Sequence, residues 1–293
     1  VGNPVLGLMS ILFPHLAAAK STGLAADERM HLLEGRRGRG KSYTLTAMTK
    51  QFIGEHKKVY TNIRSLDYYR LAVQLTMAKR FPSLYVALAW MNDNVKFIRT
   101  WDDVLESHGG VMILDEASRL FHAQRGQGLS VPPIVYEWFR QSRHFRMSIF
   151  LATQDFNWID GKIASLVDIF WSVRKVVGAD RNPTGFWLYG LDSGGAGSYR
   201  DIDRRKPDRK AYYTADKLVY PLYDTHEVVE DIQQKCSYPD MQTVGKYYER
   251  MGFVTPRQPE AVMSDALRRM STRPQEISDI EVATTNEVLR YAS

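Results

Sequence analysis

The chain has 293 residues, 44% of them hydrophobic, enough for one large globular domain with an appendage. Its single cysteine, Cys236, excludes a disulfide framework and a multi-cysteine zinc site, and fits a reducing, cytoplasmic setting. Lys and Arg total 39 against 33 Asp and Glu, a formal charge of +6, which admits a polyanionic partner without requiring one.

Residues 1–27 read as an apolar arm. Val1–Ala19 is uncharged, but Pro4 and Pro14 interrupt it, and no apolar run in the chain is long enough to span a bilayer as a helix. Leu16–Ala19 imitates a signal-peptide cleavage site, yet the positively charged segment that should precede one is missing. The preferred expectation is an arm packed on a neighbouring subunit; weak membrane association comes second.

Met30–Leu33 is a short apolar run. Gly35–Ser42 follows it as G-x-x-x-x-G-K-S, and Tyr43–Phe52 can continue as a helix. That strand–loop–helix setting separates a phosphate loop from an accidental Gly/Arg-rich turn. Glycines let the backbone curl so that successive N–H groups point inward and, with the helix N-terminus, form an anion cradle. Lys41 can reach the β- and γ-phosphates of ATP, and the Ser42 hydroxyl can ligate Mg²⁺. The candidate nucleotide-binding residues are Gly35, Arg36, Arg37, Gly38, Arg39, Gly40, Lys41, Ser42 and Tyr43.

Further along, Lys58–Ile63 reads as a second strand and Leu66–Arg80 as a helix stopped by Phe81 and Pro82. Leu84–Thr100 fits either strand or helix. Trp101–Ser107 looks like a short helix, and Gly109 and Gly110 then break the chain. Val111–Leu114 is an apolar run with Asp115 and Glu116 at its end. In open α/β sheets ligands bind outside the carboxyl ends of strands, so Asp115 is placed to hold Mg²⁺ and Glu116 to activate water.

Residues 123–130 form a Gly-rich polar loop. Ile134–His144 reads as a helix, Met147–Thr153 as a buried strand ending at Gln154, Asp160–Leu166 as a short helix and Asp168–Val177 as a strand. Residues 28–177 therefore alternate strand and helix and predict a P-loop core: a mostly parallel sheet with helices on both faces. Residues 178–229 form a β extension, a hairpin of Gly185–Leu191 and Lys210–Val219 joined by the charged turn Arg200–Arg209. Residues 230–293 read as a helical and polar tail.

Gln154 ends the strand that follows the acid pair, where an amide can sense the γ-phosphate. At this point the pattern resembles a known family. The phosphate loop Gly35–Ser42, Leu114–Ala117, Ser142–His144 and Ala152–Gln154, in that order, are similar to the zonula-occludens-toxin-like (Zot-like) phage ATPases of the FtsK–HerA superfamily. Val219–Thr225 resembles that family's closing strand. The resemblance covers roughly residues 28–227.

It implies a RecA-like core that assembles into a ring, usually a hexamer, with ATP between neighbouring subunits. It further implies work on DNA, in genome packaging or virion extrusion, with phage or virus assembly proteins or a capsid as partners. The inner face of the host membrane or a virion vertex would be the place of work. Extruding members carry a membrane-spanning helix after the ATPase region; none is visible here, which favours packaging. A toxin role has no residue behind it.

Subunit-boundary ATPases use an arginine from the adjacent subunit. Arg119, Arg140, Arg143 and Arg174 are candidates, with Arg143 favoured by its Arg-His context. The catalytic set expected is Lys41, Glu116, Gln154 and Arg143, with Ser42 and Asp115 on the metal. The turn at Arg204, Arg205, Lys206, Arg209 and Lys210 suits a nucleic-acid backbone, although Asp201, Asp203 and Asp208 dilute its charge. A P-loop kinase and a nucleotide-ordered assembly scaffold are the competing classes; adjacent Asp115 and Glu116 favour water over a small-molecule acceptor.

Overall fold

Burial on both sides is what the longest apolar runs demand, and a central sheet supplies it. The computed structural model describes residues 23–122, 131–178, 182–193, 207–224, 232–233 and 235–253. Its sheet has eight strands in the order β3-β2-β4-β5-β1-β6-β7-β8. They are β1 (Met30–Glu34), β2 (Lys58–Thr61), β3 (Val95–Phe97), β4 (Gly110–Leu114), β5 (Met147–Thr153), β6 (Ile169–Val177), β7 (Pro183–Asp192) and β8 (Arg209–Thr214). Strands β1 to β6 run parallel, whereas β7 returns antiparallel to β6 and β8 antiparallel to β7. Every residue of β4 and β5 is buried, as expected of strands covered on both faces.

Alternation along the strands splits that burial into two layers. Leu33, Val59, Val111, Ile113, Phe150 and Ala152 form one core with the helices α1 (Lys41–Gly54), α2 (Tyr68–Met77) and α3 (Leu84–Asn94). Leu32, Met112, Leu114 and Leu151 face the other way and are buried too. Their side of the molecule carries α4 (Trp101–Leu105), α5 (Ala117–Leu120), α6 (Pro133–Arg140) and α7 (Gly161–Ala164), with Trp101, Phe121 and Phe139 packed ring against ring. The expected α/β fold, mostly parallel with a C-terminal antiparallel addition, is therefore present.

Local chemistry explains most boundaries. The Asp67 and Ser83 side chains cap α2 and α3 by accepting from the Arg70 and Val86 N–H groups. Thr100 and Asp103 form a reciprocal capping box on α4. Leu84–Thr100 turns out to be both things it resembled, a capped helix running straight into the short edge strand β3. The helix expected over Ile134–His144 stops at Arg140, and residues 141–146 continue as turns closed by Arg146 at φ 53°.

The described part of the Val219–Thr225 segment, residues 219–224, is not a strand. Tyr220–Leu222 is one 3₁₀ turn, because Pro221 has no N–H to give a ladder and its φ suits a helical turn. The hairpin holds, although its second strand ends at Thr214 rather than Val219. The 1–22 part of the arm, the 123–130 loop, residues 194–206 (which include 200–206 of the charged turn), Thr225, residues 226–231 and the tail from 254 lie outside the described residues.

By its contacts the chain divides into a unit ending at Tyr247, which holds the whole sheet, and a second beginning at Tyr248. The last described helix is α8 (Met241–Arg250). Among the described residues no helix is long and apolar enough to cross a membrane.

Candidate active site at the carboxyl edge of the sheet

Strands β1, β4 and β5 end at one edge, and their tips deliver the site. The loop leaving β1 is tied at its start by the Gly35 N–H, which donates to the Thr153 carbonyl at 3.2 Å. Gly38 (φ 77°) and Gly40 (φ 94°) then take left-handed backbone conformations that curl the loop onto the N-terminus of α1. At Gly40 the lack of a side chain matters twice, because a Cβ there would lie 2.1 Å from the Phe186 ring. Phe186, on β7, is thus a buttress beneath the phosphate loop.

Lys41 is folded back, its Nζ donating to the Gly35 carbonyl at 2.6 Å. Burial depresses its pKa, while Asp115 and Glu116 oppose that shift. The Ser42 hydroxyl donates to Asp115 Oδ2 at 2.6 Å. Asp115 is only 5% exposed, and burial pushes its carboxyl up from the ordinary range. The Ser42 and Glu116 hydrogen bonds pull the other way, the Glu116 charge adds to the rise, and Lys41 lowers it. Arg36, Arg37 and Arg39 are exposed at the loop tip, and none forms an ion pair among the described residues.

Asp115 is held by a residue the sequence did not flag. Asn62, buried just past β2, accepts from the Asp115 N–H at 2.8 Å and donates to the Asp115 carbonyl at 2.9 Å. Only the pairing of β2 with β4 brings the two together. The next residue, Glu116, sits at φ 49° and ψ 46°, a left-handed conformation costing a non-glycine residue about 1–3 kcal/mol. That backbone lets its N–H donate to Asp115 Oδ1 at 2.8 Å. Gln154 Nε2 donates to Glu116 Oε1 at 3.1 Å, with Oε2 at 3.4 Å. Strand β5 lies between β1 and β4, which sets Gln154 between the loop and the acids.

Tyr43 fixes the far side of the loop. Its ring stacks on Phe186 at 4.4 Å, and its hydroxyl donates to the Thr214 carbonyl at 2.9 Å while accepting from the Asp216 N–H at 2.7 Å. The antiparallel extension is therefore built into the site.

Arg143 lies elsewhere. It precedes β5, at the amino edge, so the seven residues of that strand separate it from the acids by about 20 Å. There it forms an ion pair with Asp168, whose other oxygen accepts from the Met30 N–H at 2.9 Å. Both line a cleft of about 430 Å³ with Asp27, Glu28, Arg29 and Asp192. Of the other arginines, Arg140 pairs with Glu137 at 2.8 Å on α6, and Arg174 is exposed on β6.

Ser42 and Asp115 offer a hydroxyl and a carboxylate, hard oxygen donors that suit Mg²⁺ completed by phosphate and water. No cluster of three His, Cys, Asp or Glu among the described residues could hold a metal alone. The loop's cradle and these two ligands fit a magnesium–nucleotide complex.

Comparison with known proteins agrees on the type of molecule. No curated protein matches the chain. Among solved structures, the N-terminal domain of zonular occludens toxin from Neisseria meningitidis is 22% identical, with 67% of this chain and 98% of that one covered and a TM-score of 0.39. The genome packaging NTPase B204 from Sulfolobus turreted icosahedral virus 2, in complex with AMPPCP, is 16% identical over 63% of this chain and 100% of that one, with a TM-score of 0.38. The flagellar accessory protein FlaH from Methanocaldococcus jannaschii is 11% identical over 64% and 89%, with a TM-score of 0.41. The family model of zonular occludens toxin (Zot) matches residues 29–225, more than half of the chain and all of the site, so this chain belongs to the Zot family, and its fold is the α/β fold of P-loop NTPases.

Proposed function

We propose that the chain hydrolyses ATP at the carboxyl edge and that a ring of copies couples hydrolysis to movement of DNA in phage or virus assembly. The observation that carries the first half is convergence. Ser42, Asp115, Glu116 and Gln154 come from three strand ends and meet through hydrogen bonds, and Lys41 lies within the field of the two acids.

In this reading the loop N–H groups receive the phosphates, and Lys41 leaves the Gly35 carbonyl to reach the β- and γ-oxygens. Ser42 and Asp115 would hold Mg²⁺, which when bound neutralises phosphate charge. Glu116 takes a proton from the attacking water as its oxygen bonds to the γ-phosphorus and the bond to the β–γ bridging oxygen breaks. ADP and phosphate leave. Gln154 orients the Glu116 carboxylate before the reaction and can report the loss of phosphate after it.

Arg143 stands too far from its own loop to act there, so in this reading it serves only a neighbour's nucleotide. Ring assembly, DNA, capsid or assembly-protein partners and a site at the inner membrane face or a virion vertex follow from the resemblance and the positive charge. The test is steady-state ATP hydrolysis with and without DNA, together with the mass of the particle in both conditions. DNA-stimulated turnover by a closed oligomer supports the motor; a monomer whose turnover ignores DNA contradicts it.

A further inference from the structure

We infer that Tyr220 is the platform on which the purine base of the nucleotide stacks. This rests on the nucleotide reading above and adds the half of the ligand that the phosphate loop leaves unassigned.

Sheet order gives the direction. The γ end of a bound triphosphate faces Glu116 and Gln154, at the tips of β4 and β5. The nucleoside then leaves the loop away from those tips, past the first turn of α1. Tyr43, the residue after Ser42, marks that side with its ring against Phe186 of β7. Tyr220 packs on Tyr43 with ring centroids 4.9 Å apart and planes inclined at 47°.

The contrast between these neighbouring rings is informative. Tyr43 is 2% exposed with its hydroxyl fully engaged, whereas Tyr220 is 37% exposed and its hydroxyl has no hydrogen-bond partner among the described residues. A ring that packs on a buried neighbour and is still more than a third exposed suits offset stacking with a flat heterocycle.

The backbone presenting Tyr220 is anchored on both sides. Upstream, Lys50 pairs with Asp216 at 3.2 Å and Gln74 donates to the Leu218 carbonyl at 2.8 Å. Downstream, the Asp67 N–H donates to the Leu222 carbonyl at 2.8 Å, and the Ser65 hydroxyl accepts from the Asp224 N–H at 3.0 Å. A fixed aromatic loses little freedom when a base lands on it.

Binding of ATP and of inorganic tripolyphosphate, each with Mg²⁺, separates base from phosphate. Calorimetry on the full chain should show Tyr220→Ala weakening ATP about tenfold while leaving tripolyphosphate unchanged. Tyr220→Trp should keep ATP affinity, and the new indole should be quenched by ATP but not by tripolyphosphate. Unchanged ATP affinity in Tyr220→Ala overturns the platform, as does an equal loss for both ligands, which would mean a disturbed loop. If the parent chain binds neither ligand, the nucleotide reading itself fails, and the platform with it.

Discussion

The two edges of the sheet carry similar side chains to opposite ends. At the amino edge, charges neutralise one another in partly exposed pairs: Arg143 with Asp168, Arg29 with Asp27, and Arg209 with Asp192. Buried His31 is satisfied there too, its Nε2 paired with Asp27 at 2.9 Å and its Nδ1 accepting from the Trp171 indole at 3.0 Å. At the carboxyl edge Lys41 and Asp115 are buried with their charged forms disfavoured, and Glu116 holds a strained backbone. Left-handed backbone occurs at both edges, at Glu28 and Arg146 as well as at Glu116, so what sets the carboxyl edge apart is buried charge whose ionised form is disfavoured, and that marks a working site.

Substitutions can sharpen that contrast. The largest effect is expected at Gly40→Ala, where a left-handed φ and the Phe186 ring oppose the new methyl together. Nucleotide binding should fall by at least 100-fold. Shrinking the ring in Gly40→Ala/Phe186→Ala should not restore it, because the backbone penalty remains. Normal binding by the single variant would deny Phe186 its buttress role.

Asn62→Ala comes next. It strands the buried N–H and carbonyl of Asp115, so a loss of about 1–3 kcal/mol is expected in denaturant unfolding, with reduced ATP turnover. An unaltered unfolding midpoint would mean that Asp115 needs no clamp.

Asp115→Asn should do the reverse to stability. Burial raises the folded-state pKa of Asp115, so its favourable contribution is complete below the unfolded value of about 4 and is lost as pH rises through the folded value. Above the unfolded value the buried carboxyl therefore costs stability, and the nucleotide-free variant should melt higher, by roughly 2 °C per kcal/mol gained. Its ATP turnover should nevertheless collapse. A lower melting temperature would show that the carboxylate is structural.

The smallest effect belongs to the amino edge. Arg143→Ala breaks an exposed pair and should change stability by at most about 1 kcal/mol. If it serves a neighbour's nucleotide, turnover should fall while ATP binding by the isolated chain stays the same. A fall in that binding would contradict delivery in trans.

What could be read from the residues followed how local each feature is. Gly35–Ser42 was legible because its chemistry depends on neighbours in sequence, and Met147–Thr153 because a strand buried on both faces is apolar throughout. Leu84–Thr100 was not, since its opening stretch Leu84–Met91 is apolar throughout and carries no period; only the Ser83 cap decides it. Asn62, Phe186 and Tyr220 stayed hidden because each acts across the sheet, through the β2–β4 pairing, the antiparallel return of β7 and the turn after β8. The place of Arg143 required knowing which end of β5 it occupies.

The most direct measurement compares the parent chain with Glu116→Gln for Mg²⁺-dependent ATP binding and single-turnover hydrolysis. The side chain keeps its size and its place beside Gln154 but can no longer take a proton. The variant should bind ATP as the parent does while hydrolysis slows by at least about 100-fold. Equal hydrolysis rates in the two proteins would contradict the assignment of Glu116 as the base and, with it, the carboxyl edge as the seat of the reaction.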